Sequence, residues 1–282
     1  KIVNGELWYG REEKYNSISM AKGFLLVAIF SILLLNQQPL IASINDDFDH
    51  RLYVAFISGN MADWEKVLNE LDALLAKSPT AANRFKLLHA QYGYIGYLLG
   101  VKQTEKAKRL IEKAEVHANY LAKIPAYQST ANAIQAALLA YQISINPYKA
   151  PFLGPKSSLL IDEALALSPT NYYALIEKGN ARHYAPAIVG GNPTEAVDLY
   201  RKAIELIEKE YPTGKPKTWW YINTYTQMGL AAQKAGNKNL AKKIYQTLLT
   251  MEPNYKWVKE ELLPKVWYRA EERFSLNSES YH

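Results

Sequence analysis

Residues Tyr225 to Pro253 read YTQMGLAAQKAGNKNLAKKIYQTLLTMEP, and their spacing decides the fold. Tyr225, Met228, Gly229 and Ala232 fall on one face of a first helix, and Ala241, Tyr245 and Leu248, at steps of four and three, on one face of a second. Gly229 and Ala232 carry little or no side chain, so the two helices can approach closely while Tyr245 fills the space between neighbouring units. Pro253 cannot continue the second helix and turns the chain away. A helical hairpin of this kind buries its apolar face only against another like it.

The same small, bulky, small spacing recurs upstream as Ala107, Ile111, Ala114, as Ser157, Ile161, Ala164, and as Ala196, Tyr200, Ala203. Gly93 and Gly179 stand where Gly229 stands, and Pro169 and Tyr211-Pro212 close their units. Together these positions match the pattern W-x2-L-G-x2-Y followed by A-x3-F-x2-A and a terminal proline. From Asp47 to about Tyr268 the chain resembles the tetratricopeptide repeat family. The resemblance implies an all-α, right-handed superhelical solenoid of about five antiparallel helix pairs with a C-terminal capping helix. Successive anchors Ala107, Ser157, Ala196 and Ala241 are 50, 39 and 45 residues apart, longer than the family's period of about 34 and nearer a HEAT-like array. The placement of glycine and proline favours the tetratricopeptide reading.

The pattern predicts helices over 47–58 and 61–77, 81–100 and 103–123, 127–145 and 156–168, 171–185 and 193–210, 217–235 and 238–251, with a last helix over 255–272. Asn192 as cap, Pro193 as first helical residue and Glu195 beyond it make a strong helix start. Two Pro/Gly-rich insertions, Asn146–Pro155 and His183–Pro193, account for much of the extra length. They join the helices of adjacent pairs and so should emerge from the same edge of the stack. Phe152, Leu153, Ile188 and Val189 on them either pack into a small satellite core or wall a pocket or groove.

The chain carries 33 basic and 27 acidic residues, a formal charge of +6. The charges alternate along helices, as in Glu105-Lys106-Ala107-Lys108-Arg109, which is the pattern of a solvated face. With no basic block interleaved with aromatics, no nucleic-acid partner is expected. Cysteine is absent, which removes disulfides, thiolate metal sites, cysteine nucleophiles and a lipid anchor on an N-terminal cysteine.

Phe24 to Leu35 (FLLVAIFSILLL) is an apolar run of 12, too short to cross a bilayer, which takes about 20 residues, and suited to the centre of a Sec-type signal peptide. A buried core helix or an uncleaved anchor is the alternative reading. Lys22 supplies a basic flank, Met20 stands where an initiator belongs, and Leu40–Ser43 offers a cleavage region. The expected organisation is an upstream extension over 1–19, a signal peptide over 20–43, one solenoid over 47–274 and a disordered polar tail over 275–282. A secreted chain without cysteine fits the bacterial periplasm best, and no stable membrane insertion is expected after cleavage.

Catalysis finds little support. The five histidines form no H-E-x-x-H, and the sequence holds no glycine-rich phosphate loop and no G-x-S-x-G. No enzyme activity, cofactor or metal is expected. Tetratricopeptide proteins bind along the concave surface of their first helices, which nominates Tyr94, Tyr97, Tyr173, Asn223 and Gln227. The insertion after the seventh helix adds Asn180, Arg182, His183, Tyr184 and Ile188, because loops on a rigid scaffold collect binding residues. Ile176 occupies the place, four before Asn180, where the family's clamp for chaperone C-termini has a basic residue, so that clamp is absent. Trp219-Trp220-Tyr221 reads as an inter-helix wedge rather than a membrane contact. The expected partner is a protein or peptide. A small molecule is the alternative, because Gly190-Gly191-Asn192-Pro193 before Ala196 is similar to secreted tetratricopeptide components associated with tripartite solute transporters.

Overall fold

The computed structural model describes residues 47–267, all within one compact unit. The expected signal peptide, upstream extension and polar tail lie outside the described residues. Ten α-helices form five antiparallel pairs among them: α1 Asp47–Ser58 with α2 Met61–Lys77, α3 Ala81–Gly100 with α4 Thr104–Leu121, α5 Pro125–Ile145 with α6 Ala150–Leu167, α7 Tyr172–Tyr184 with α8 Pro193–Glu210, and α9 Trp219–Lys234 with α10 Lys238–Met251. Each helix packs on the next, and first helices also touch across pairs, α3 on α5, α5 on α7 and α7 on α9. The chain is an all-α solenoid. Residues 256–267 are helical again, widened by a π-turn at Val258–Leu262.

The helix starts follow side-chain chemistry. Asn192 Oδ1 accepts from the amide of Glu195 at 3.1 Å, and Asn237 Oδ1 from that of Leu240 at 3.0 Å. Asn171 Oδ1 accepts from the amides of Tyr173 and Ala174. Each satisfies donors that the first turn leaves unpaired.

The small-residue rule holds at atomic distance. A Cβ built on Gly179 would lie 2.7 Å from Tyr200 Cε1, and one on Gly229 would lie 2.3 Å from Tyr245 Cε1. Both rings are fully buried, so neither can swing aside into solvent. Gly229→Ala should therefore cost about 1–3 kcal/mol by overpacking, read as a lower urea midpoint with unchanged helical circular dichroism.

Two expectations need correction. Asn146–Pro155 is no irregular insertion: Pro147–Lys149 form one 3-10 turn, and α6 already begins at Ala150. Pro151 sits in the first turn, where a backbone N–H has no partner to lose, and Pro155 forgoes a single intrahelical bond at a solvent-facing end. Nor do the two apolar tips form a satellite core, for Phe152, Ile188 and Val189 are all exposed.

The larger difference concerns the inner wall. Second helices bury a narrow stripe, Ala107, Ile111, Ala114, Ala118 and Leu121 on α4, whereas the first helices α3, α7 and α9 are buried over most of their circumference. The reason is closure of the array, since α1 packs directly on α9. Trp64 of α2 meets Trp219 of α9 edge to face at 5.1 Å, and Phe56 of α1 lies 6.3 Å from Trp219. Aromatic side chains thus fill the space that an open solenoid would offer to a partner.

Candidate functional site

Inside that closure, α3 and α7 face each other through a buried polar chain. Tyr92 donates its hydroxyl to Glu177 Oε1 at 2.5 Å, Asn180 Nδ2 donates to Glu177 Oε2 at 3.1 Å, and Tyr200 donates to Asn180 Oδ1 at 2.7 Å. Glu177 is buried, and desolvation pushes its carboxyl up to about 7 against the opposing pull of the two hydrogen bonds. One turn deeper, His89 lies between Tyr173, whose hydroxyl is 3.3 Å from Nε2, and the rings of Trp219 and Trp220, at 4.8 and 4.7 Å. Burial pushes this imidazole down to about 3, so it is neutral at physiological pH. Sequence reading passed over Glu177 and Tyr92, and took His89 for a partly buried or solvated ring on an amphipathic helix, where the structure buries it. The signal for Glu177 was present: a carboxylate directly after the apolar run Tyr172–Ile176, with an amide three residues on.

Toward the ends of the first helices the polar chain reaches solvent. Exposed Tyr184 donates its hydroxyl to Gln227 Oε1 at 2.6 Å, and Gln227 Nε2 donates at 3.5 Å to Asn223 Oδ1, one turn earlier on α9. Lys234 Nζ donates to the carbonyl of His183 at 2.5 Å, tying the end of α9 to the end of α7. The His183 ring stacks on Tyr184 at 4.2 Å. Its pKa falls to about 4, through burial first and the charge of Lys234 second. Asn180, Tyr184, Asn223 and Gln227 form a half-exposed row of amides and a phenol on two rigid helices.

The remaining predicted residues are dispersed. Tyr94 is buried, donating to Glu65 Oε2 at 2.9 Å and accepting from Lys106 Nζ at 3.3 Å, so it serves the α2–α3–α4 contact. Tyr173 belongs to the aromatic interior, while half-buried Tyr97 packs on Tyr94 at 5.7 Å. Tyr94 is buried by its contacts with Glu65 and Lys106, and Tyr173 by Phe85, His89 and Tyr172. Arg182 holds the loop after α7, donating from Nη1 to the carbonyl of Gly190 at 2.9 Å and pairing with Glu195 at 3.0 Å. Ile188 projects from that loop into solvent. Among the described residues no cluster of three or more His, Asp or Glu is placed to hold a metal ion, and no helix is long and apolar enough to cross a membrane.

A tetratricopeptide repeat family model matches residues 222–255, the unit formed by α9 and α10. Among solved structures the chain is similar to the HusA haemophore from Porphyromonas gingivalis, at 18% identity and a TM-score of 0.53, over 66% of this chain and 91% of that one. It is also similar to BtubC (BKLC) from P. vanneervenii, at 14% identity and a TM-score of 0.38, over 84% and 94% of the two chains. No curated protein matches. At such identities a shared fold does not carry a shared function.

Proposed function

We propose that this chain is an exported, non-catalytic repeat scaffold that holds a protein or peptide partner at the rim where α7 and α9 meet. The observation that carries the reading is the row Asn180, Tyr184, Asn223 and Gln227, three half-exposed carboxamides and an exposed phenol, hydrogen-bonded to one another and inward, at the mouth of an otherwise dry interior. Side-chain amides pair with the backbone of an extended peptide, each supplying an acceptor and two donors. Tyr184 supplies an aromatic face beside them. The repeat matched at residues 222–255 includes two members of the row.

The test is selection of peptides on the purified full chain, followed by titration of the consensus peptide against an Asn223→Ala/Gln227→Ala variant. Loss of two hydrogen bonds of about 1 kcal/mol each should weaken binding on the order of tenfold or more. Unchanged affinity would remove the rim from the interaction. Export has its own check: the protein recovered from the periplasm should begin near Ser43 or Ile44, and an uncleaved chain in the cytoplasm would exclude it.

A second reading is a small-ligand carrier serving a solute transport system. Tyr184 at the end of α7 and Ile188 and Val189 on the loop that follows it are all exposed, a phenol and an apolar pair within five residues that suit an amphipathic planar ligand of the kind a haemophore binds. Titration with haemin, followed by its Soret absorbance with and without Tyr184→Phe and Ile188→Ser/Val189→Ser, decides between the readings.

A further inference from the structure

In a stack of antiparallel pairs all first helices run the same way, so the connections inside pairs come out along one edge. Three contacts tie the ends of α5, α7 and α9 to neighbouring first helices. Tyr141 near the end of α5 donates to the Tyr92 carbonyl of α3 at 3.4 Å, Tyr184 at the end of α7 donates to Gln227 of α9, and Lys234 of α9 donates to the His183 carbonyl.

The chemistry of this edge differs from that of the rest of the chain. Residues 100–104, 145–156, 184–192 and 234–239 hold five lysines, Lys102, Lys149, Lys156, Lys234 and Lys238, and no aspartate or glutamate. Elsewhere the charges alternate. The same segments carry large apolar side chains turned to water: Tyr148 is 92% exposed, Phe152 73%, Ile188 93% and Val189 68%.

Ile188 and Val189 are held outward by a hydrogen-bonded loop. The amide of Gly191 donates to the Pro186 carbonyl at 3.0 Å, that of Asn192 to the Arg182 carbonyl at 2.7 Å, and Gly190 takes φ +91°, which closes the turn. An apolar pair fixed in water by its own backbone is a surface shaped for contact.

Aromatic and aliphatic tips on separate turns, interleaved with lysines, and with the flanking carboxylates Asp63, Glu105 and Glu195 paired to Lys66, Lys108 and Arg182, match the headgroup zone of an anionic bilayer. Rings and aliphatic groups enter the interface while ammonium groups meet phosphates. Contacts spread over several turn tips of one edge fit a flat, extended partner better than the cleft of a folded protein. We propose that this edge seats the protein peripherally on an anionic lipid surface, with Lys149 and Lys156 at the phosphates and Tyr148, Phe152, Ile188 and Val189 in the interfacial layer. The rim proposed to hold a peptide uses other side chains, so that reading and this one can fail separately; the small-ligand reading shares Ile188 and Val189 and is told apart by haemin titration in the absence of lipid.

The absence of cysteine allows a direct test on the full chain. An environment-sensitive dye on Ile188→Cys should shift to the blue when vesicles containing phosphatidylglycerol are added and stay unchanged with phosphatidylcholine alone. The same dye on Val116→Cys, exposed on the outer face of α4, should not respond. Lys149→Glu/Lys156→Glu should weaken the partition onto anionic vesicles by about tenfold or more, and added salt should do the same. The apolar segment Phe24–Leu35, present in the same chain, is untouched by these substitutions and cannot produce the difference. No shift at position 188 with anionic vesicles, or a shift indifferent to lipid charge, overturns the proposal. So does a shift that grows with protein concentration in the absence of lipid, which would assign the edge to a second copy of the chain.

Discussion

Trp219→Ala is expected to lower the stability of the protein by about 3–5 kcal/mol, and to do so by uncoupling the first two helix pairs from the fifth. The Trp219 ring is 2% exposed. It lies 5.1 Å from Trp64, 4.8 Å from His89, 5.9 Å from Tyr92 and 6.3 Å from Phe56. One side chain on α9 therefore touches α1, α2 and α3. In a simple repeat array each unit contacts only its neighbours and the ends are energetically independent. Here they are not, and truncating the shared ring leaves a cavity that several helices cannot all relax into. Urea unfolding followed by fluorescence and circular dichroism should show a lower midpoint and transitions that no longer coincide, because the terminal pairs lose their tie. An exposed control, Tyr148→Ala, should stay within about 0.5 kcal/mol of the parent. A Trp219→Ala protein as stable and as cooperative as the parent would mean that closure contributes nothing.

Glu177→Gln should act in the opposite direction, with a gain that grows as the pH rises from about 4.5 to about 7 and is full above it. The carboxyl ordinarily titrates at 4.5 and is pushed up to about 7 by burial. Below its ordinary value it is protonated in both folded and unfolded chains, and the site costs nothing. As the pH climbs from there to about 7 the unfolded chain releases its proton first, so stability falls. Above 7 the folded protein bears the full penalty, on the order of 3 kcal/mol.

Glutamine keeps an acceptor for the Tyr92 hydroxyl. Its amide group is accommodated if Asn180 reverses and the Tyr200 hydroxyl turns to accept. At pH 8 the variant should melt roughly 5–10 °C above the parent, and at pH 4.5 the two should coincide. His89 works in the contrary sense, since an imidazole held down at about 3 binds its proton more readily in the unfolded chain. It removes stability as the pH falls through its ordinary 6.5, and does so equally in both proteins. A Glu177→Gln protein with the parent's pH profile would show that this carboxylate is solvated.

Part of this molecule was legible in the sequence because local spacing carries it. The Gly179–Tyr200 and Gly229–Tyr245 contacts join residues within one pair, and the rule that a ring needs a missing Cβ can be read from two positions about 20 residues apart or fewer. The same holds for the Asn192 and Asn237 caps, which depend on three or four consecutive residues. Pro151 and Pro155 misled because proline is read as a breaker, and its tolerance in a first turn depends on where the turn begins. Of the predicted site, Asn180, Tyr184, Asn223 and Gln227 do assemble, because helical register put them on matching faces. Tyr94 and Tyr173 share that register and are nonetheless buried.

The amino-acid order by itself determined the helices, their pairing and most of their ends, since each follows from neighbours within a few turns. Only the tertiary structure decided that α1 closes on α9, that the inner wall is dry, and that Glu177 and His89 lie buried inside it, the carboxyl pushed up and the imidazole pushed down by desolvation. Those outcomes depend on side chains such as Trp64 and Trp219, 155 positions apart in the chain and 5.1 Å apart in space. No periodicity of three or four residues encodes such a distance. It emerges when the small rotations between successive pairs add up to bring the two ends of the array together.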